Sequence, residues 1–143
     1  MVLIPGMVAF AQAPSAGAAA LVKEAVAFAK QNGMAKLIQE TNQPKGRFHV
    51  NTGSELYIFI YNERGVVKAI GYDTEALVGV NRYNLRDPDG FLMVREFINV
   101  AQNRGKGWVD YKYPNPTTGK IEQKTSYLEF FEDMIIGSGA YKD

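Results

Sequence analysis

The spacing of apolar positions changes period twice along this chain. Leu21, Val22, Ala25, Val26, Phe28 and Ala29 recur at i, i+4 and i+7, which places them on one face of a helix over 15–31. Ser15 is a candidate N-cap, and Gly33 a break or kink. Met34, Leu37 and Ile38 continue the helical spacing until the stretch TNQPKG ends it. The period then drops to two. ELYIFIYN is rich in β-branched and aromatic residues, NERG supplies a turn, and VVKAIGY reads as a second strand. Alternation puts Tyr57, Phe59 and Tyr61 on one face and Leu56, Ile58 and Ile60 on the other. Both faces are apolar, so this strand is expected to be central and covered on both sides.

Positions 72–89 show no clean period. They predict a long crossing loop, of the kind that often carries function. Within it, Asp87 to Gly90 form a turn whose aspartates are expected to N-cap the next helix. A calcium loop is not expected there, because no D-x-[DN]-x-[DN]-G spacing with its distal Glu follows. Helical spacing returns through Phe91, Val94, Phe97, Ile98 and Ala101. KGWVDYKYP, the turn NPTTGK, IEQKTSYLEFFE and MIIGSGAY then read as three more strands. The order α, β, β, loop with helix, β, β, β predicts an α+β fold built from antiparallel hairpins. One domain over 15–143 accounts for the whole pattern.

Composition narrows the chemistry. A chain of 143 residues, 46% hydrophobic and 22% charged, fits a single globular domain. Sixteen Lys and Arg against 15 Asp and Glu give a net charge of +1. The basic residues are scattered singly, which argues against nucleic acid as a partner. Cysteine is absent, so thiol nucleophiles, thiolate metal sites and iron–sulfur clusters are excluded. A single histidine, His49, is too few for an ordinary zinc site, and it reads as a surface or edge residue. No metal or cofactor is expected. The glycine-rich pieces NRGKG and GSGA match neither the P-loop nor the dinucleotide fingerprint. With Cys absent, catalysis would rest on carboxylate, Lys or Tyr chemistry, and no carboxylate pair of the glycosidase kind stands out. An enzyme is not expected.

The N-terminus, MVLIPGMVAFAQA, is apolar and then turns small and polar. Ala11 and Ala13 form an A-x-A pattern of the signal-peptidase type, although no Lys or Arg precedes the apolar run. That run is also short of the roughly 20 residues that a membrane helix takes. Residues 1–13 are therefore expected to be the end of an export signal. The alternative is a retained apolar tail that docks into a neighbour, making a structural or interaction protein that assembles through it.

The stretch GKGWVDYKYPNPTTGKIEQKTSY, followed by IIGSGAY, resembles the end of single Cache domains of type 2, an extracytoplasmic sensor family related to PAS folds. ALVKEAVAFAKQNGMAKLIQETNQPKGRF is similar to the family's long first helix, and LYIFIYNERGVVKAIGYDTEALVGVNRYNLRDPDG to its first hairpin and pocket loop. The pieces Gly-Trp-x-x-Tyr, Asn-Pro-x-x-Gly-Lys, Lys-x-Ser-Tyr and Gly-Ser-Gly-x-Tyr are specific as an ordered set. The resemblance implies an antiparallel sheet of about five strands with a long N-terminal helix on one face. It implies a small-molecule pocket on the other face, under the crossing loop. It further implies a non-catalytic, periplasmic or secreted module that binds a small organic ligand, often a short carboxylate. The partners implied are that ligand and, beside it, a membrane receptor or a second copy of the chain. Where the family often has Ala-His after the second strand, this chain reads AIGYD, with Tyr72 near the usual His. The last strand is followed only by Lys142 and Asp143, so a stand-alone secreted member or a fragment is expected.

A carboxylate pocket needs a cation, because an unpaired buried charge is costly, and apolar walls around the ligand's carbons. Arg82 and Arg86 on the crossing loop can clamp a carboxylate bidentately. Lys124 lies inside a strand with Ser126 and Leu128 on its face, and it resembles the Lys of Lys-x-Ser-Tyr. Trp108 and Asp110 share a strand face. Trp108 offers a wall with one N–H donor, while Asp110 suits an amine or pairs Lys124 across the hairpin. Tyr57 and Phe59 are wall candidates, and Tyr72 can donate its hydroxyl. The expected ligand-binding set is therefore Tyr57, Phe59, Tyr72, Arg82, Trp108, Asp110 and Lys124. Trp108, Asp110 and Lys124 are expected on one face, with Tyr111, Tyr113 and Tyr127 on the opposite, packing face.

Overall fold

A computed structural model describes residues 14–50 and 54–142. The expectations for residues 1–13 lie outside this range. Helix α1 (Pro14–Asn32) opens on a proline, which suits a first helical position because the N–H it lacks would have no partner there. Ser15 therefore falls inside the first turn and is not the cap. The buried stripe is Ala18, Val22, Ala25, Val26 and Ala29, and the remainder of α1 faces solvent or the margin of the core. Gly33, at φ 94°, ends α1 in a conformation that costs other residues strain. Helix α2 (Met34–Asn42) then starts in a new direction and buries Leu37.

Five strands follow: β1 (Phe59–Asn62), β2 (Val67–Ile70), β3 (Lys106–Pro114), β4 (Ile121–Phe131) and β5 (Met134–Tyr141). They form one antiparallel sheet in the order β2-β1-β5-β4-β3. The last strand thus lies between the first hairpin and the second. The Asn62 side chain builds the β1–β2 turn by accepting from the backbone N–H groups of Arg64 and Val66. The crossing segment holds the short helix α3 (Thr74–Leu77), and helix α4 (Met93–Arg104) leads into β3.

Strand parity divides the interior into two cores. Ile58, Ile60, Ala69, Tyr127 and Ile136 face α1 and α2. Tyr57, Phe59, Tyr61, Tyr111, Tyr113, Leu128, Ile135 and Tyr141 face the other way, toward α4 with Val94, Phe97 and Ala101. The expected split between the Tyr57 and Ile58 faces holds, as does the central position of this strand. The aspartate turn differs from expectation. Asp87 Oδ1 accepts from the N–H groups of Asp89 and Phe91, and Oδ2 accepts from Lys112 N. It ties the crossing segment to β3, while α4 begins after Leu92 without a side-chain cap.

Close packing on the α4 side rests on two glycines of β5. A Cβ at Gly137 would lie 2.4 Å from the Phe59 ring. One at Gly139 would lie 2.6 Å from Cε of Lys124 and 2.2 Å from Oγ of Ser126. The Phe59 ring is held by a stack on Phe97, with centroids 5.4 Å apart, and cannot retreat. Gly137→Ala is expected to destabilise the fold by about 1–3 kcal/mol through overpacking, read as a lower urea midpoint with an unchanged slope.

Candidate functional site

The β3–β4 register decides which side chains meet. Tyr111 stands opposite Lys124, Trp108 opposite Tyr127, and Asp110 opposite Thr125. Lys124 therefore shares its face with Val109, Tyr111 and Tyr113, on the α4 side. Trp108 and Asp110 point to the α1 side, and the expected grouping of these two with Lys124 is corrected. Trp108 is 44% exposed and leans on Tyr127, with ring centroids 5.2 Å apart. Asp110 is exposed and pairs with Lys142 at 3.5 Å, not with Lys124. Tyr111 and Tyr113, expected on the packing face, stand beside Lys124 instead, while Tyr127 lies against α1, where its hydroxyl accepts from Lys23 and donates to Glu129.

Lys124 is only 1% exposed. Its straight chain runs over Gly139, where a side chain would collide with it. The ammonium ends among aromatic rings: Tyr57 at 4.6 Å, Tyr113 at 4.8 Å and Tyr141 at 4.9 Å from nitrogen to centroid, with Phe59 and Tyr111 slightly farther. Ring faces attract a cation at such distances. An ammonium carries three donors, and here one of them reaches a hydrogen-bond acceptor, the Tyr57 hydroxyl at 2.8 Å. Among the described residues no carboxylate forms an ion pair with it. Burial, with repulsion from Arg82, depresses its pKa to about 7 against a weaker opposing pull from Glu55.

Arg82 comes from the crossing segment and closes the same region. Its Nη1 donates to the hydroxyls of Tyr113 at 2.8 Å and Tyr61 at 3.3 Å. Both acceptors are neutral, and burial pushes the Tyr61 hydroxyl up to about 12, so it stays protonated. The Tyr113 hydroxyl also shares a short hydrogen bond with that of Tyr72, and the Tyr72 ring packs on Tyr57. Tyr57, Phe59, Tyr72, Arg82 and Lys124 are thus brought together. The buried Asn115 donates to Glu55 at 2.7 Å and to Glu122 at 2.9 Å, so each carboxylate has one oxygen bonded there. His49 sits elsewhere, half-buried, with Nε2 3.2 Å from Thr74 Oγ1.

Tyr61, Ile70, Tyr111, Tyr113, Met93 and Phe97 complete the cavity wall and were not among the expected site residues. Tyr61 was legible, because it shares parity with Tyr57 and Phe59. Tyr111 and Tyr113 needed the hairpin register, which a six-residue connection between β3 and β4 does not disclose. The enclosed free space is about 10 Å³, room for a single water. Beside it an open cleft of about 360 Å³ is lined by Arg82, Leu85, Arg86, Met93, Lys112 and Tyr113, among others.

The lowered pKa of Lys124 has a consequence for stability. Between about 7 and the ordinary 10.5 the unfolded chain holds this proton more tightly than the folded one, so stability rises with pH across that window. Below about 7 the full burial penalty is present. Above about pH 10 the buried tyrosines act in the opposite sense, since only the unfolded chain ionises them. The melting temperature is expected to climb from pH 7 to 9.5. Lys124→Met should flatten that rise and melt higher than the parent at pH 7, as followed by circular dichroism.

Known proteins share this architecture and sequence. The methyl-accepting chemotaxis protein McpP of Pseudomonas putida is 41% identical over 61 residues, a stretch covering 41% of this chain and 11% of that protein. The sensor histidine kinase MctS of Rhizobium johnstonii is 32% identical over 94 residues, covering 64% of this chain and 20% of that one. The chain thus spans a fifth or less of either relative's length. A methyl-accepting chemotaxis protein of Vibrio parahaemolyticus superposes with a TM-score of 0.75 at 20% identity, over 90% of this chain and 88% of that one. A Cache chemosensory domain solved for its carboxylic acid recognition superposes with a TM-score of 0.72 at 24% identity, over 90% and 93% of the two chains. The model of the family Single Cache domain 2 matches residues 24–143, and with its helix-backed five-stranded sheet this chain belongs to that family.

Proposed function

We propose that this domain binds a short carboxylate between Lys124 and Arg82 and serves as an extracytoplasmic sensory module without catalytic activity. The observation that carries this reading is a pair of cations, one buried and one largely so, whose contacts among the described residues are all neutral. Holding a cation away from water is costly without a counter-charge. An arriving carboxylate supplies one and adds charge-assisted hydrogen bonds in place of tyrosine acceptors. The rings of Tyr57, Phe59, Tyr111 and Tyr113 give the carbon part of such a ligand apolar walls. Arginine and lysine divide the work, the guanidinium offering a fork and the ammonium a point charge.

The relatives support the sensory side of the reading. Two are a chemotaxis protein and a sensor kinase by name, and one solved neighbour recognises carboxylic acids. Neither Trp108 nor Asp110 enters this proposal, since both lie on the α1 side of the sheet.

A ligand that binds only the native state raises its stability, by about 2.7 kcal/mol at a hundred times its Kd. Millimolar acetate or propionate is expected to raise the melting temperature by several degrees, and matched chloride is not. Lys124→Met should remain folded and lose the response, and Arg82→Lys should weaken it about tenfold or more, because a lysine cannot reproduce the guanidinium fork. An unchanged response in Lys124→Met would remove the site from consideration.

A further inference from the structure

The cavity around Lys124 and the open cleft beside it are adjacent spaces with shared walls. Arg82 borders the cleft and reaches into the cavity region, while Tyr113 and Met93 line both spaces. The Tyr113 ring therefore stands between them. It is fixed from two sides, by the hydroxyl of Tyr72 and by Nη1 of Arg82. On its inner side lies free space of about 10 Å³ and the buried ammonium. On its outer side lie about 360 Å³ and two further cations, Arg86 and Lys112. The acidic residue of that cleft, Asp87, and the neighbouring Asp89 are already engaged. Asp87 accepts three backbone N–H groups, and Asp89 pairs with Lys112 at 3.1 Å.

We propose that Tyr113 is the residue that sets the length of the ligand: its ring is the partition that confines a carboxylate to the Lys124 cavity and keeps a second carboxylate from reaching the cationic cleft. The inference rests on the carboxylate-binding reading above and adds to it the upper bound on chain length. With the partition in place, the free space at Lys124 is only about 10 Å³, so an acid bound there must open its room by small shifts of Met93 and other flexible side chains, which limits it to the shortest chains. A longer diacid would have to displace the Tyr113 ring and break its hydrogen bonds to Tyr72 and Arg82, and leaving such buried hydroxyls unpaired is disfavoured. With the ring removed, cavity and cleft become one elongated site. Lys124 then sits at its inner end and Arg86 at its outer end, with Lys112 held by Asp89 beside it, and two separated cations suit a short α,ω-dicarboxylate. Selectivity of this kind comes from what the wall excludes as much as from what the cations attract.

The test compares the parent with Tyr113→Ala, Tyr113→Phe and Met93→Ala by calorimetry, using acetate, propionate, succinate and glutarate. Circular dichroism confirms that each variant is folded. The expected parent binds acetate or propionate and discriminates against both diacids. Tyr113→Phe keeps the ring and should keep that ranking. Tyr113→Ala should tighten succinate or glutarate by about tenfold or more relative to the monocarboxylates, and Met93→Ala, which opens the same wall from α4, should shift the ranking in the same direction. If Tyr113→Ala does not fold, Met93→Ala alone decides. A parent that binds monocarboxylates while the opened variants keep its ranking overturns the partition and leaves the carboxylate reading standing. A parent that binds succinate as tightly as acetate also overturns it. If no protein in the set binds any of the acids, the carboxylate reading falls and the partition falls with it.

Discussion

A charged amine held in a shell of aromatic rings is the constraint around which the α4 half of this domain is arranged. Among the described residues Lys124 has one hydrogen-bond acceptor and no carboxylate paired with it, so its burial is tolerable only through ring faces and a depressed pKa. Placing those faces takes Tyr111 and Tyr113 from β3, Tyr141 from β5, Phe59 from β1 and Tyr57 from just before it. The tyrosine hydroxyls then need partners of their own. Tyr111 finds Ser126, Tyr113 finds Tyr72 and Arg82, and Tyr141 donates to the carbonyl of Pro114. The tyrosine hydroxyls of this half are thus paired, while the Lys124 ammonium keeps donors for an anion.

The opposite half is built on different terms. Small residues of α1 allow close approach to Ile58, Ile60 and Ile136, and ordinary apolar burial holds that side. Its ion pairs sit at the rim, as with Lys23 and Glu129 or Asp110 and Lys142. One sheet therefore separates a conventional core from a functional one. Residues of one strand differ in role according to parity alone.

Parity is also what limited the reading of the sequence. The first helix, the central apolar strand, the order of elements and the cation Lys124 followed from spacing and residue type. Within one strand, parity is unambiguous, so Tyr57, Phe59 and Tyr61 could be grouped. Between two strands it depends on register, and the connection of residues 115–120 sets that register through Asn115, whose backbone N–H bonds Lys120 O and whose side chain holds Thr117. Nothing in the residue types of β3 alone says that Tyr111, and not Trp108, stands on the side of Lys124. The largest aromatic drew attention as a pocket wall, yet it sits half in solvent beside Tyr127. Asp87 was misplaced for a related reason: an aspartate before a helix is an obvious cap, but its three backbone partners include one from a strand distant in sequence.

Gly139 and Lys124 occupy one space. The glycine is bare because the lysine's methylene chain passes where its Cβ would be. During divergence the two positions are therefore not free to drift separately. A descendant that keeps the long cation must keep the glycine, whereas position 139 is released to carry a side chain only when positions 124 and 126 both shrink and the Thr125 carbonyl gives way. Read across related sequences, a side chain at this position of the final strand would mark, without any structure, those that have lost the buried charge.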